Sequence, residues 1–419
     1  MQMRDKIVGF ILALYPVICI YKMPGIDLPL GMVVMYLIVM PLVISGLQKR
    51  YMGGSLTKNY VVFTVYAILI TVLLRGINND VIGLILNSIC IFILLRGGRY
   101  IKPFLTAYVY LAVAFSVFLM VQYVGLLAFS KPIEGILSFL PTMIGDEVSS
   151  LRTYDYMTVA RIASVFTEPS HYSLYSIPPL ALLLWNYVSV KHRVWYIGII
   201  TVAILLSTSG NGVILMLILY ALFFLNRLHG KHAILAVAIA LALIPVAFKV
   251  SEKVESLQYT LEALSGDMGS DNSKTYYRVS RGFMVYGDLP PFAQVMGVGY
   301  RNSENFLQSH AQNILQKYRE GDVTFDYYNS IAAILIYFGF IGFILMTIFI
   351  SSVWRSTKQY GEKALLVIMI ISCASSSVFN TDTWFMYILL MTAMSNSYLI
   401  NQENYEKREY KQNTKAYIK

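Results

Sequence analysis

An all-α integral membrane protein of about twelve transmembrane helices, with a large extracytoplasmic loop between the ninth and tenth, is what this 419-residue sequence predicts. Three observations carry that expectation. Hydrophobic residues make up 57% of the chain and charged residues 13%, against about 25% charged in a soluble domain. Apolar runs of around 20 residues, the length a helix needs to cross a bilayer, recur from one end to the other. The runs are continuous rather than alternating, which excludes a β-barrel.

The runs fall at 7–21, 29–47, 59–75, 80–96, 103–129, 171–190, 194–208, 212–226, 233–250, 328–353, 363–379 and 383–400. The first follows Arg4 and Lys6 but leads into "KMPGIDLPLG" with no small-residue cleavage site, so it reads as a retained helix. With the N-terminus in the cytoplasm, the cytoplasmic connections and the tail carry 20 Lys and Arg, while the short outer connections carry only Lys22 and Arg75. That asymmetry fixes the orientation, because positive residues stay on the cytoplasmic side. The polar, basic tail at 401–419 then ends in the cytoplasm as well. The net charge of +10 belongs to this pattern, so no nucleic-acid partner is expected. Cys19, Cys90 and Cys373 all lie inside apolar runs, without a CxxC or His/Cys spacing; neither a disulfide framework nor a metal site is expected.

Two long segments, 130–170 and 251–327, fall on the outer side and hold enough polar sequence to build a site. The first contains "SKPIEGILSFLP", an interfacial apolar piece too short to span. The second contains a loop-like stretch, "SGDMGSDNSK", followed by "TYYRVSRGFMVYG". There Arg278 and Arg281 stand at i, i+3 on one face of a predicted helix.

Four stretches in order give the chain a resemblance to the family of polysaccharide polymerases and O-antigen ligases. "RIASVFTEPSHYS" (Arg161–Ser173) resembles the signature at a helix entrance in Wzy-type polymerases. "LLSTSGNGVIL" (Leu205–Leu215) resembles the small, polar hairpin between two helices, and "RVSRGFMVYGDLPPFAQVMGVGYRN" (Arg278–Asn302) the arginines and G-x-G of the large outer loop. "YYNSIAAILIYFGFIGFIL" (Tyr327–Leu345) resembles the helix that follows that loop. The resemblance implies an enzyme of the bacterial cytoplasmic membrane that joins undecaprenyl-diphosphate-linked oligosaccharides into O-antigen or capsule at the outer face. It implies no cofactor, with a flippase and a chain-length regulator as candidate partners besides the bilayer.

Such chemistry needs cations for a lipid diphosphate, a group to take a proton from the acceptor hydroxyl, and an apolar wall for polyprenyl. Arginine suits the first task because its planar fork bonds phosphate bidentately and stays charged. Arg161, set in the apolar "VARIASVF", and Arg278, Arg281 and Arg301 are the substrate-binding candidates. The alternative for each is a solvated or headgroup-contacting arginine, against which stand the apolar setting of Arg161, where an unpaired charge is costly, and the shared helical face of Arg278 and Arg281. Glu168 precedes Pro169 at a helix mouth, where it either caps the helix or pairs with Arg161, and can also orient the acceptor or act as general base. His171, which adjoins it, is the second catalytic candidate, and Ser170 a substrate-binding one. Gly297 and Gly299 in "GVGYRN" form a turn, or a place of close backbone approach to phosphate or sugar.

Polymerase and ligase part at one position. Ligases of the family share His-Asn, nine residues, then Gly. Here Asn329 and Gly339 fit that register, but Tyr328 stands where the histidine belongs. A tyrosine, with a pKa of about 10, is a poor base at neutral pH, which favours the polymerase. Asn329 remains a substrate-binding candidate. A transporter would place ionisable residues inside its helices, and these runs contain almost none. A scaffold for an envelope complex would leave the arginines without a task.

Overall fold

The computed structural model describes residues 3–23, 25, 28–45, 55–129, 133–137, 139–143, 162–227, 273–318, 328–379, 382–396 and 399. Every expected apolar run within them is helical over most of its length, the run expected at 171–190 ending as helix at Leu184. The chain forms α1 (Met3–Ile18), then α2 (Leu30–Val34), which continues through a π-helical turn (Met35–Val39) into α3 (Met40–Ser45). Next come α4 (Ser55–Arg75), α5 (Asn79–Leu94), α6 (Ile101–Phe129), α7 (Pro169–Leu184), α8 (Arg193–Leu206) and α9 (Gly210–Arg227). The second long segment contributes α10 (Ser273–Asp288), α11 (Pro291–Met296), α12 (Ser303–His310) and α13 (Gln312–Tyr318). The chain then forms α14 (Ser330–Ser356), α15 (Tyr360–Ser375) and α16 (Thr383–Ser395). Among the described residues there is no strand, only two isolated bridges. The expected span at 233–250 and the tail at 401–419 lie outside the described residues.

Four helices, α4, α6, α9 and α14, are long and apolar enough to cross a membrane. Their outward faces stay apolar: Leu69, Leu73, Val124 and Leu127 are all exposed. Three segments are covered on nearly every side: α7 from Tyr172 to Leu184, α14 from Ala332 to Gly339, and α16 from Trp384 to Met394. A helix apolar all round belongs in the interior of a bundle. α7 carries Pro178 and Pro179, which cannot donate to the carbonyls four residues back. The Tyr175 carbonyl, deprived of Pro179, accepts instead from the Tyr108 hydroxyl of α6 at 2.8 Å. In an apolar interior such a repair is what makes a proline tolerable.

α14 is broken at Gly339, whose φ of 64° and ψ of −171° belong to a region only glycine enters readily. Segment 296–300 enters the break. The N–H groups of Val298 and Gly299 donate to the carbonyls of Ile336 (3.0 Å) and Tyr337 (2.9 Å), which a continuous helix would pair with residues 340 and 341. On its other side the segment is held by α4. Tyr66 donates to the Met296 carbonyl (2.8 Å), Thr71 Oγ1 accepts from the Tyr300 N–H (3.0 Å), and Arg75 reaches the Tyr300 carbonyl (3.3 Å). Tyr66 lies nine residues before the end of α4, so the segment descends about 13 Å along that helix. What the sequence presents as outer-loop turn is an inserted piece of extended chain, its polar backbone satisfied by protein.

The first long segment also folds back. Gln122 of α6 donates to the carbonyls of Ile133 (2.8 Å) and Ser164 (3.2 Å), while the Lys22 N–H donates to Pro141 (2.9 Å). Ile133, Leu137 and Phe139 remain exposed, as an apolar interfacial piece would.

Candidate functional site

Polar contacts gather the turns at one end of the bundle. Asn211, in the first turn of α9, donates to Ser376 Oγ at 2.9 Å. Ser330, at the start of α14, donates to the Ser376 carbonyl (2.9 Å) and accepts from the N–H groups of Val378 (2.7 Å) and Phe379 (2.9 Å). A side chain on Gly212 would collide with Ser173 of α7, so the α7 and α9 mouths touch. The end of α4 joins this set through Arg75, which pairs with Asp80 of α5 as well as with Tyr300. At the opposite end, α15 begins with a capping box of Gln359 and Glu362, Gln359 donates to Leu399, and Gly361 abuts Trp185.

At the α7 mouth Glu168 occupies the N-cap position, but its side chain makes no cap hydrogen bond. Ser170 Oγ donates to Glu168 Oε2 at 3.0 Å, and Glu168 is exposed. His171 Nδ1 lies 2.9 Å from Thr167 Oγ1. Glu168, Ser170 and His171 thus form one polar group at a helix entrance.

α10 has the expected helical form and packs Gly282 against Ala332 of α14 and Tyr328 just before that helix. Arg281 on that helix is 5% exposed; Arg278 is on the same helix, with its side chain outside the described residues. Arg161 also lies outside them. Arg301 is exposed, adopts a left-handed φ of 49°, and stacks its guanidinium on the Tyr300 ring at 5.4 Å.

Gly297 and Gly299 have φ of 89° and 90°, as a close approach demands, and what they approach is protein. A side chain on Gly297 would strike the backbone of Tyr337 and Phe338. Their N–H groups are already committed, Gly297 to Ala293 (2.8 Å) and Gly299 to Tyr337 (2.9 Å). Asn329 is the N-cap of α14, its Oδ1 accepting from the Ala332 N–H at 3.0 Å, and it is 2% exposed. Tyr328 is fully buried, its hydroxyl 3.3 Å from Ser303 Oγ.

Sequence reasoning missed Asp382. This residue is the N-cap of α16 and keeps partial exposure. Its carboxyl is pushed up to about 6 by burial, against the opposing pull of a Cys19 hydrogen bond and the Arg301 charge. Its only signal was an acid in "FNTDTW", a short turn between two apolar runs.

An all-helical bundle with membrane-length apolar helices, and polar contacts collected from turns and an inserted loop at one end, defines a membrane protein. Residues 18–396 match the family model described as WcaD colanic acid polymerase, and the chain belongs to that family of Wzy-type repeat-unit polymerases. No curated protein matches the chain.

Proposed function

We propose that this protein polymerises undecaprenyl-diphosphate-linked oligosaccharide repeat units at the outer face of the bacterial cytoplasmic membrane, giving a colanic-acid-type polysaccharide. The family match across residues 18–396 carries the reading. In this arrangement twelve helices span the bilayer, both termini are cytoplasmic, and the end that gathers residues 168–171, 297–303 and 376–382 faces outward. Arg161, Arg278, Arg281 and Arg301 hold the donor diphosphate through charge-assisted bonds. Glu168, Ser170 and His171 receive the acceptor sugar, with Glu168 exposed to accept sugar hydroxyls. The outward apolar faces of the bundle meet the polyprenyl chain.

The buried Tyr328, where a ligase would carry histidine, speaks for polymerase over ligase. A deletion strain separates the two. Loss of the polymerase leaves single repeat units still reaching their final acceptor. Long chains stranded on the lipid carrier would instead identify a ligase, and repeat units trapped on the cytoplasmic side a flippase.

A further inference from the structure

Beyond its break, α14 changes character along one stripe. Phe340, Ile344, Ile348, Ser352 and Ser356 follow one another at intervals of four and so form a single ridge of the helix. Phe343 and Arg355 stand on the ridge beside it. Together with Asn59 of α4 these residues line a groove of about 510 Å³, within the roughly 300–1,000 Å³ typical of small-molecule sites. The two helices are packed firmly next to it: the Tyr60 and Phe349 rings lie 5.5 Å apart, and Gly342 lies against Tyr66.

One half of the groove is apolar and open to the outside, with Phe340, Ile344 and Ile348 all exposed. The other half is polar, from Ser352 to Ser356 with Asn59 opposite. Exposed Trp354 and Tyr360 flank that polar half, with the Lys363 ammonium 5.2 Å from the Trp354 ring. Such aromatic residues mark the headgroup level of a bilayer. From Phe340 to Arg355 the helix rises about 22 Å. A single leaflet offers about 15 Å of hydrocarbon and about 5–7 Å of headgroup. The groove therefore has the length and the polarity gradient of one lipid molecule.

Its chemistry narrows the choice of lipid. Arg355 is exposed, and no acidic residue is among those lining the groove, so the polar end suits an anion. Ser352 Oγ donates to the Phe349 carbonyl at 2.6 Å and Ser356 Oγ to that of Val353 at 2.7 Å. With their protons committed, both hydroxyls offer lone pairs, which match a headgroup carrying O–H donors. A polyprenyl phosphate has no such donors. The groove also lies in the half of α14 away from Ser330 and the converging turns.

We propose that this groove binds an anionic phospholipid with a hydroxylated headgroup, of the phosphatidylglycerol type. Arg355 and Asn59 take its phosphate, Ser352 and Ser356 its headgroup hydroxyls, and an acyl chain lies along Phe340, Ile344 and Ile348. In the orientation given by the charge asymmetry, this is a lipid of the cytoplasmic leaflet. It bridges α4 and α14, the two helices that hold segment 296–300, and so steadies that joint. The inference requires the bundle to stand in a bilayer and is independent of the reaction it catalyses.

The test places the full chain in phosphatidylcholine nanodiscs with a rising fraction of phosphatidylglycerol and follows the melting temperature, which a ligand of the native state raises. The wild type should gain stability along a saturating curve. Arg355→Gln should shift the half-saturating fraction upward roughly 10-fold, the loss of one charge-assisted contact. Ile344→Trp, which fills the apolar half from an exposed position, should abolish the response while the protein still melts cooperatively in phosphatidylcholine. Lys358→Gln, at an exposed residue outside the groove, should leave the curve in place. A wild-type melting temperature unmoved by phosphatidylglycerol overturns the proposal, as does an equal shift in Arg355→Gln and Lys358→Gln. Stabilisation by polyprenyl phosphate but not phosphatidylglycerol would give the groove to the carrier lipid. Dimers that form regardless of lipid and are lost in Ile344→Trp would give it to a second copy. Either result overturns the assignment to a phospholipid.

Discussion

At the start of α14, Asn329 does the work of a helix cap: its side-chain oxygen takes the Ala332 N–H, one of the donors a helix leaves unpaired at its first turn. Truncation to alanine should therefore cost about 1 kcal/mol of stability, read as a lower melting point in detergent. Serine, another good cap, should restore most of it along with polymer synthesis. A serine variant as stable as wild type but devoid of activity would support Asn329 as a substrate-binding residue as well as a cap. The position fits the family spacing, yet spacing alone does not tell a cap from a ligand. At Gly297 and Gly299 the positive φ goes with packing inside the protein: Gly297 lies against the backbone of Tyr337 and Phe338, and the Gly299 N–H donates to the Tyr337 carbonyl. Asp382 escaped for the opposite reason: a lone acid in a short turn has no spacing at all, and what marks it is the burial that pushes its carboxyl up.

Among the elements, α14 departs furthest from what its sequence suggests. "IAAILIYFGFIGFIL" reads as one uninterrupted helix, and a glycine there ordinarily costs about 1 kcal/mol without breaking anything. The interruption comes from a partner more than thirty residues earlier in sequence, whose N–H groups take over two carbonyls of the helix. No local pattern could reveal that. Replacing Gly339 by alanine forces a side chain against Val295 and the Gly297 N–H at a φ only glycine tolerates. Strain of this kind is worth about 1–3 kcal/mol before any clash is counted. The variant should show a markedly lower melting temperature in detergent and expel segment 296–300, visible as new protease sites there. An unchanged melting curve with no added cleavage would show that the break is not needed.

For the molecule as a whole, apolar length and charge placement located the helices well: α4, α6 and α9 begin and end within a few residues of the expected runs. Hydropathy works because burial in lipid demands one signal everywhere. The interior could not be read the same way, since α7 and α16, wrapped by other helices, look no different in sequence from α4, which faces outward on one side. The orientation rests on the 20-to-2 division of Lys and Arg between the short connections. Single cysteines at Leu140, Ser270 and Ser377 should react with an impermeant maleimide added outside intact cells, and those at Arg50, His192, Gly230 and Tyr410 only after permeabilisation. Protection of position 270 from outside reagent would remove the basis for an outward-facing site.

The shared backbone of segment 296–300 and α14 bears on how relatives with different sugar specificities can be recombined. Exchanging the loop by itself between two polymerases would leave foreign N–H groups opposite an unmatched helix gap, and the hybrid should be retained poorly in the membrane. A transplant that carries residues 291–342 as one cassette, with the α4 face bearing Tyr66, Thr71 and Arg75 matched to it, keeps the joint intact. A swap that moves specificity should therefore need a block that includes part of the membrane body, and a loop-only hybrid as abundant and active as its parents would show the joint to be dispensable.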